Sequence, residues 1–147
     1  MTDRFNLHRF VEAQERDYPS VLQELAAGHK RSHWIWYIFP QIEGLGESPM
    51  SKKYAISSQE EAKAYSEHPI LGPRLRECTQ LVMELEGRTA TQIFPYPDDL
   101  KFRSCMTLFE RSASDSALYR AALLKYFAGK GDQLTLDILE RRTAPHR

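Results

Sequence analysis

The chain of 147 residues lacks most of the features that classify a protein at once. It has two cysteines, Cys78 and Cys105, and no C-x-x-C pair. Two thiols make neither a disulfide framework nor a zinc cage, and they read as reduced, buried residues of a cytoplasmic protein. There is no charge excess, since 20 Lys and Arg stand against 20 Asp and Glu. Proteins devoted to a nucleic-acid backbone or an anionic membrane usually carry a basic surplus, so both partners are disfavoured. No run approaches the roughly 18 apolar residues of a membrane span. Met1–Phe5 has no apolar stretch suited to a signal peptide. There is no H-E-x-x-H, no G-x-G-x-x-G, no P-loop and no G-x-S-x-G. No metal and no cofactor are therefore expected. Strand-like alternation, Asn-Gly and Asp-Gly turns and internal repeats are also missing, which disfavours a β fold.

What is present is one dense stretch, His29-Lys30-Arg31-Ser32-His33-Trp34-Ile35-Trp36-Tyr37-Ile38-Phe39-Pro40-Gln41. It holds both tryptophans, and Trp34 to Phe39 form an unbroken apolar run. Burying a residue such as Ile or Phe is worth about 1.5–3 kcal/mol, so the run belongs to a core. The polar residues fused to it are drawn to the edge of that core.

The rest reads as helices joined by short loops. Leu7, Phe10 and Val11 have the spacing of a first short helix. Asp17 and Pro19 open a second, stopped by Gly28. Ser32 caps a third that runs to Pro40. Gly44 to Pro49 is loop. Ser58 with Glu61 makes a capping box for a helix ending near His68. Pro73 lies in the first turn of a long helix closed by Gly87. Thr89 caps one turn, Pro97 opens the next helix, and Asp115 and Asp132 cap the last two. The expectation is an all-α, single compact domain of eight to nine short helices over residues 1–147. Its core spans 5–141, and 142–147 form a flexible tail.

Candidate chemistry gathers at three places. At the aromatic block, Arg31, Ser32 and His33 stand at an expected helix N-terminus, where amides and a cation favour an anion. Trp34 and Trp36 offer stacking faces, and Gln41 follows. In the loop and after it, Ser48, Lys52 and Tyr54 can turn toward the aromatic helix. In Asp98-Asp99-Leu100-Lys101-Phe102-Arg103-Ser104, Asp99 suits the first helical turn, while Lys101 and Ser104 fall beside the apolar face. Glu12 is a further acid–base candidate. His33, Lys101 and Glu12 are thus the catalytic candidates. Arg31, Ser32, Trp34, Trp36, Gln41, Ser48, Lys52, Tyr54, Asp99 and Ser104 are the ligand-binding ones. His33 and Lys101 are expected on one cavity wall.

Phe10-Val11-Glu12-Ala13-Gln14, Lys30 to Gln41, Gly44-Leu45-Gly46, His68-Pro69-Ile70-Leu71-Gly72-Pro73-Arg74-Leu75 and Asp98 to Ser104 together resemble a bacterial family, domain of unknown function 1810. Its members sometimes carry the label calpastatin. The resemblance runs from about Phe5 to Leu139; it implies an all-α fold and carries no established activity. His8, Phe10, Ala13 and Gln14 are more weakly similar to the Glu-His-x-Phe-x-Ala-Gln pattern of NADAR proteins, α-helical proteins that act on ADP-ribose attached to nucleobases. Leu7 stands at that pattern's glutamate, and one extra residue separates Phe10 from Ala13.

Two functions from different classes fit these residues. One is a cytoplasmic enzyme, or former enzyme, acting on a small phosphorylated ligand of nucleotide or ADP-ribose-like type. The other is a non-catalytic interaction or regulatory module. RNA binding through Lys30 and Arg31 is a third, opposed by the zero net charge.

Overall fold

The structure, a computed structural model, describes residues 3–143. Nine helices occur among them and no strand. In chain order they are α1 (His8–Ala26), α2 (Ile35–Ile38), α3 (Pro49–Lys53), α4 (Gln59–Glu67), α5 (Leu71–Glu84), α6 (Ala90–Ile93), α7 (Asp98–Ser112), α8 (Ala117–Phe127) and α9 (Gln133–Thr143). The all-α expectation holds. Of the expected tail, Arg142 lies within α9 and donates to the carbonyls of Ser57 and Glu43. Residues 144–147 lie outside the described residues.

Helix α7 organises the fold. Phe102 and every residue from Ser104 to Phe109 are buried, the pattern of a helix covered all round. It packs on α2, α4, α6, α8 and α9, while α1 packs on α2 and α5. Two polar side chains survive inside α7 by bonding backward. Ser104 Oγ donates to the Leu100 carbonyl and Thr107 Oγ1 to that of Arg103. Around Phe102 the aromatics interlock: its ring stacks on Phe94 at 4.5 Å and meets Phe39 edge-on at 5.0 Å.

Three helices differ from the expectation; one of them, α3, starts at Pro49 of the expected loop, where no helix is expected. The first two expected helices are one, α1, with Pro19 inside it. Proline frees the carbonyl four residues back. Pro19 and Glu15 are both exposed, so that loss falls on the solvent side. Meanwhile the stripe Phe10, Val11, Gln14, Val21 and Leu25 stays buried and continuous. The third expected helix is shorter: α2 starts at Ile35, with Trp34 at the N-cap and no side-chain cap. Ser32 does not cap it, because its hydroxyl is bound elsewhere.

Most caps elsewhere follow the sequence. The expected Ser58–Glu61 box forms only by half, because the Glu61 carboxylate accepts from the Ser57 amide and hydroxyl and from Arg9 and not from the Ser58 amide. Ser58 accepts from the Glu61 amide, Thr89 and Gln92 form a full capping box, and Asp132 accepts from the Thr135 amide. At α8 the N-cap is Ser116, and Asp115 only accepts a 3.4 Å bond from the Ala117 amide. Helix α5 ends before Gly87 because α8 takes its last carbonyls. Lys125 Nζ bonds those of Met83 and Leu85, and Tyr126 that of Val82.

Candidate functional site

Past α1 the chain turns at Gly28, whose φ of +76° is the left-handed region that glycine tolerates best. The next residues are pulled back onto α1 by Glu24. Its Oε1 accepts from the amides of Arg31 (2.7 Å) and Ser32 (2.9 Å) and from the Trp34 indole N–H (3.1 Å). Its Oε2 accepts from the Ser32 hydroxyl at 2.7 Å. Burial opposes ionisation of Glu24. The bonds from the Ser32 hydroxyl, the Arg31 and Ser32 amides and the Trp34 indole outweigh it and hold the carboxyl below its ordinary range. The clamp accounts for the non-helical path of residues 31–34.

Lys30 and Asp98 extend this frame. Lys30 Nζ is buried, 2.7 Å from Asp98 Oδ2, donates to the Ser32 carbonyl and lies over the Trp34 ring. Asp98 opens α7, so the pair joins the aromatic block to that helix. Its other oxygen faces Lys101 Nζ at 3.7 Å. Lys101 in turn lies 5.2 Å from the centre of the Trp36 ring, a cation over an aromatic face.

Beside Lys101 a cleft of about 220 Å³ opens between three segments. Gln41, Leu45, Gly46 and Ser51 form one wall; Pro97, Leu100, Lys101 and Ser104 of the α7 end form another; Asp132 and Leu134 close it from α9. A smaller cavity of about 30 Å³ adjoins it, bounded by Trp36, Lys52 and Tyr54 and sharing Gln41, Leu45, Gly46 and Ser51. The loop between the walls is pinned at its base. Ile56 N donates to the Gln41 carbonyl and Glu43 N to that of Ile56. Its turn depends on Gly46, where a Cβ would come within 2.6 Å of Ser51 Cβ. Trp36 Nε1 is a buried donor with no acceptor in the protein.

The structure brings together six of the sequence candidates: Trp36, Gln41, Lys52, Tyr54, Lys101 and Ser104. The others fall elsewhere. His33 is exposed and lines neither cavity, so the expectation that it shares a wall with Lys101 is corrected; the Glu24 clamp turns it outward. Arg31 and Ser32 are exposed members of that clamp. Trp34 is 1% exposed and is core. Ser48 caps α3, and Asp99 accepts from Thr91 Oγ1 in the first turn of α7. Glu12 is an exposed residue of α1, 3.6 Å from His8. His29 and His33 have the i, i+4 spacing of a helical ligand pair, but they stand in irregular backbone. Among the described residues no three His, Cys, Asp or Glu side chains are grouped to hold a metal. No helix there is long and apolar enough to cross a membrane.

Sequence reasoning missed Glu24, Leu100, Asp132 and Leu134. Glu24 reads as an ordinary helical charge. Leu134 comes from a helix that carries no motif. Ser51 sat one place from Lys52 and could have been read with it.

The family model described as protein of unknown function (DUF1810) matches residues 4–139, and the chain belongs to that family. It is similar to the crystal structure of the conserved hypothetical protein Rv1873 from Mycobacterium tuberculosis. The two share 52% identity and a TM-score of 0.92, over 93% of this chain and 98% of that one. Among curated proteins none matches.

Proposed function

We propose that the cleft between the Gln41–Ser51 loop and the start of α7 binds a small phosphorylated ligand of nucleotide or ADP-ribose-like type, as the site of an enzyme or former enzyme. The observation that carries this reading is a group of donors at the cleft and at the small cavity adjoining it. Lys101 lies over Trp36 with Asp98 as its ion partner, the Gln41 amide lines both cavities, and the Trp36 indole N–H is left without an acceptor. Phosphate oxygens satisfy such donors. The free, buried thiols of Cys78 and Cys105 fit a reducing compartment such as the cytoplasm.

Titration calorimetry with AMP and ADP-ribose tests the reading. Binding of at least one of the two is expected, and Lys101→Met should weaken it by about tenfold or more, the effect of removing one charge-assisted contact of about 1.4 kcal/mol. No heat from either nucleotide, or equal affinity in Lys101→Met, overturns it. The rival reading, a non-catalytic interaction module, has one specific support: much of the Arg-Ser-His-Trp block is occupied by the Glu24 clamp.

A further inference from the structure

We infer that the ligand of this cleft is a mononucleotide-sized monophosphate carrying a flat aromatic ring, with the ring laid on Leu100 and Leu134; the inference rests on the phosphate reading above and narrows it. Exposed apolar side chains carry the first part. Large exposed hydrophobics among the described residues are Ile70, Tyr96, Leu100, Leu124 and Leu134. Leu100 and Leu134 line the cleft, at 45% and 65% exposure, and Tyr96 precedes Pro97 of its wall. Both leucines stand in first helical turns, where a polar residue is the easier choice. With Leu45 and Pro97 they give the cleft an apolar lip facing solvent, which a flat ring would cover.

Hydrogen-bonding capacity argues against a polyhydroxylated ligand. The Ser104 hydroxyl is bound to the Leu100 carbonyl. Asp132 Oδ2 accepts from both the amide and the hydroxyl of Thr135. Gln41, the Ser51 hydroxyl and Asp132 Oδ1 remain, fewer groups than an extended polyol presents, so part of such a ligand would be left unpaired, which costs affinity. Charge and size argue against a polyphosphate or a dinucleotide. At the two cavities Lys101 and Lys52 are set against Asp132 and Glu43, and the lysines have Asp98 and Glu47 as ion partners, so the surroundings offer no cationic surplus. The volume of about 220 Å³ is below the roughly 300–1,000 Å³ of pockets that enclose drug-sized ligands.

The test is calorimetry at fixed ionic strength with inorganic phosphate, ribose 5-phosphate, phenyl phosphate, AMP and ATP. Wild type is compared with Leu134→Ser and Lys101→Met, each first shown to be folded by circular dichroism. Leu134 is exposed, so its replacement leaves the fold intact. Phenyl phosphate and AMP should bind about tenfold or more tighter than ribose 5-phosphate, and ATP no tighter than AMP. Leu134→Ser should remove about tenfold of the AMP affinity, the scale of one leucine side chain uncovered, and leave inorganic phosphate unchanged. Ribose 5-phosphate binding as tightly as AMP, with Leu134→Ser silent, overturns this inference while a Lys101-dependent affinity keeps the phosphate reading. No binding by any phosphate, or binding indifferent to Lys101→Met, overturns both.

Discussion

Glu24 collects four hydrogen bonds from three residues, and nothing in its own neighbourhood marks it as special. It lies on an amphipathic helix among other charges, where a solvated glutamate is the ordinary reading. Its partners were visible as a motif; their acceptor was not, because the pairing joins α1 to a segment beyond the Gly28 turn. Bonds to a charged acceptor are worth about 1.5–3 kcal/mol each, less where solvent competes. Glu24→Ala should therefore lower stability by about 1–3 kcal/mol in urea melts and shift Trp34 emission toward the red. Arg31→Ala and His33→Ala remove only exposed side chains and keep the clamp's backbone donors, so they should stay within about 0.5 kcal/mol of wild type. A large loss from His33→Ala with a silent Glu24→Ala would reverse this division of roles.

At the scale of elements, local chemistry was legible wherever a cap or breaker acted alone. Ser58, Thr89 with Gln92, Pro97 and Asp132 each mark a helix start that the structure contains. Legibility failed where tertiary packing overrode a local signal. Pro19 reads as an opener, yet the buried stripe on both sides of it carries α1 straight through. Periodicity could not divide the aromatic block into its parts either. Trp34 is core, whereas Trp36 is partly exposed and walls the small cavity. Trp34→Ala should cost about 3–5 kcal/mol, and Trp36→Ala clearly less, in the same denaturant series. Equal costs would mean that Trp36 is as deeply packed as Trp34.

The turn from α4 to α5 shows a second kind of local dependence. His68 Nδ1 accepts from the amides of Ile70 and Leu71, and Gly72 N bonds the His68 carbonyl. A Cβ at Gly72 would stand 2.2 Å from the Ser66 carbonyl oxygen, a backbone atom that cannot swing aside. Gly72→Ala should destabilise by about 1–3 kcal/mol through this overpacking, despite alanine's better helix propensity. A neutral or stabilising result would show that the α4–α5 turn can open at little cost.

Across the whole molecule, the titratable groups define a window of stability with opposite causes at its two ends. On the acid side, the His8 and Leu7 amides donate to Asp3, which is held below its ordinary value, as Glu24 is by its clamp. A carboxylate with a lowered folded pKa contributes stability that is present above its unfolded value, near pH 4, and lost as the pH falls through the folded one. On the alkaline side the cause is burial. It raises the thiols of Cys78, up to about 12, and Cys105, and the hydroxyls of Tyr65 and Tyr119. These acids stay neutral in the folded chain while the unfolded chain ionises them from about pH 9 upward. The unfolded state then holds fewer protons, so stability falls as pH rises from the unfolded value toward the folded one. Urea melts should give a plateau between about pH 6 and 8 and a decline beginning near pH 9. One such group contributes at most about 1.4 kcal/mol per pH unit to that decline. Cys78→Ala should lower stability at neutral pH by leaving a small void, yet flatten the slope between about pH 9 and 10.5 by up to that amount. An unchanged slope in Cys78→Ala would show that this thiol ionises without unfolding, and that the space between α1 and α5 around Tyr18 admits water.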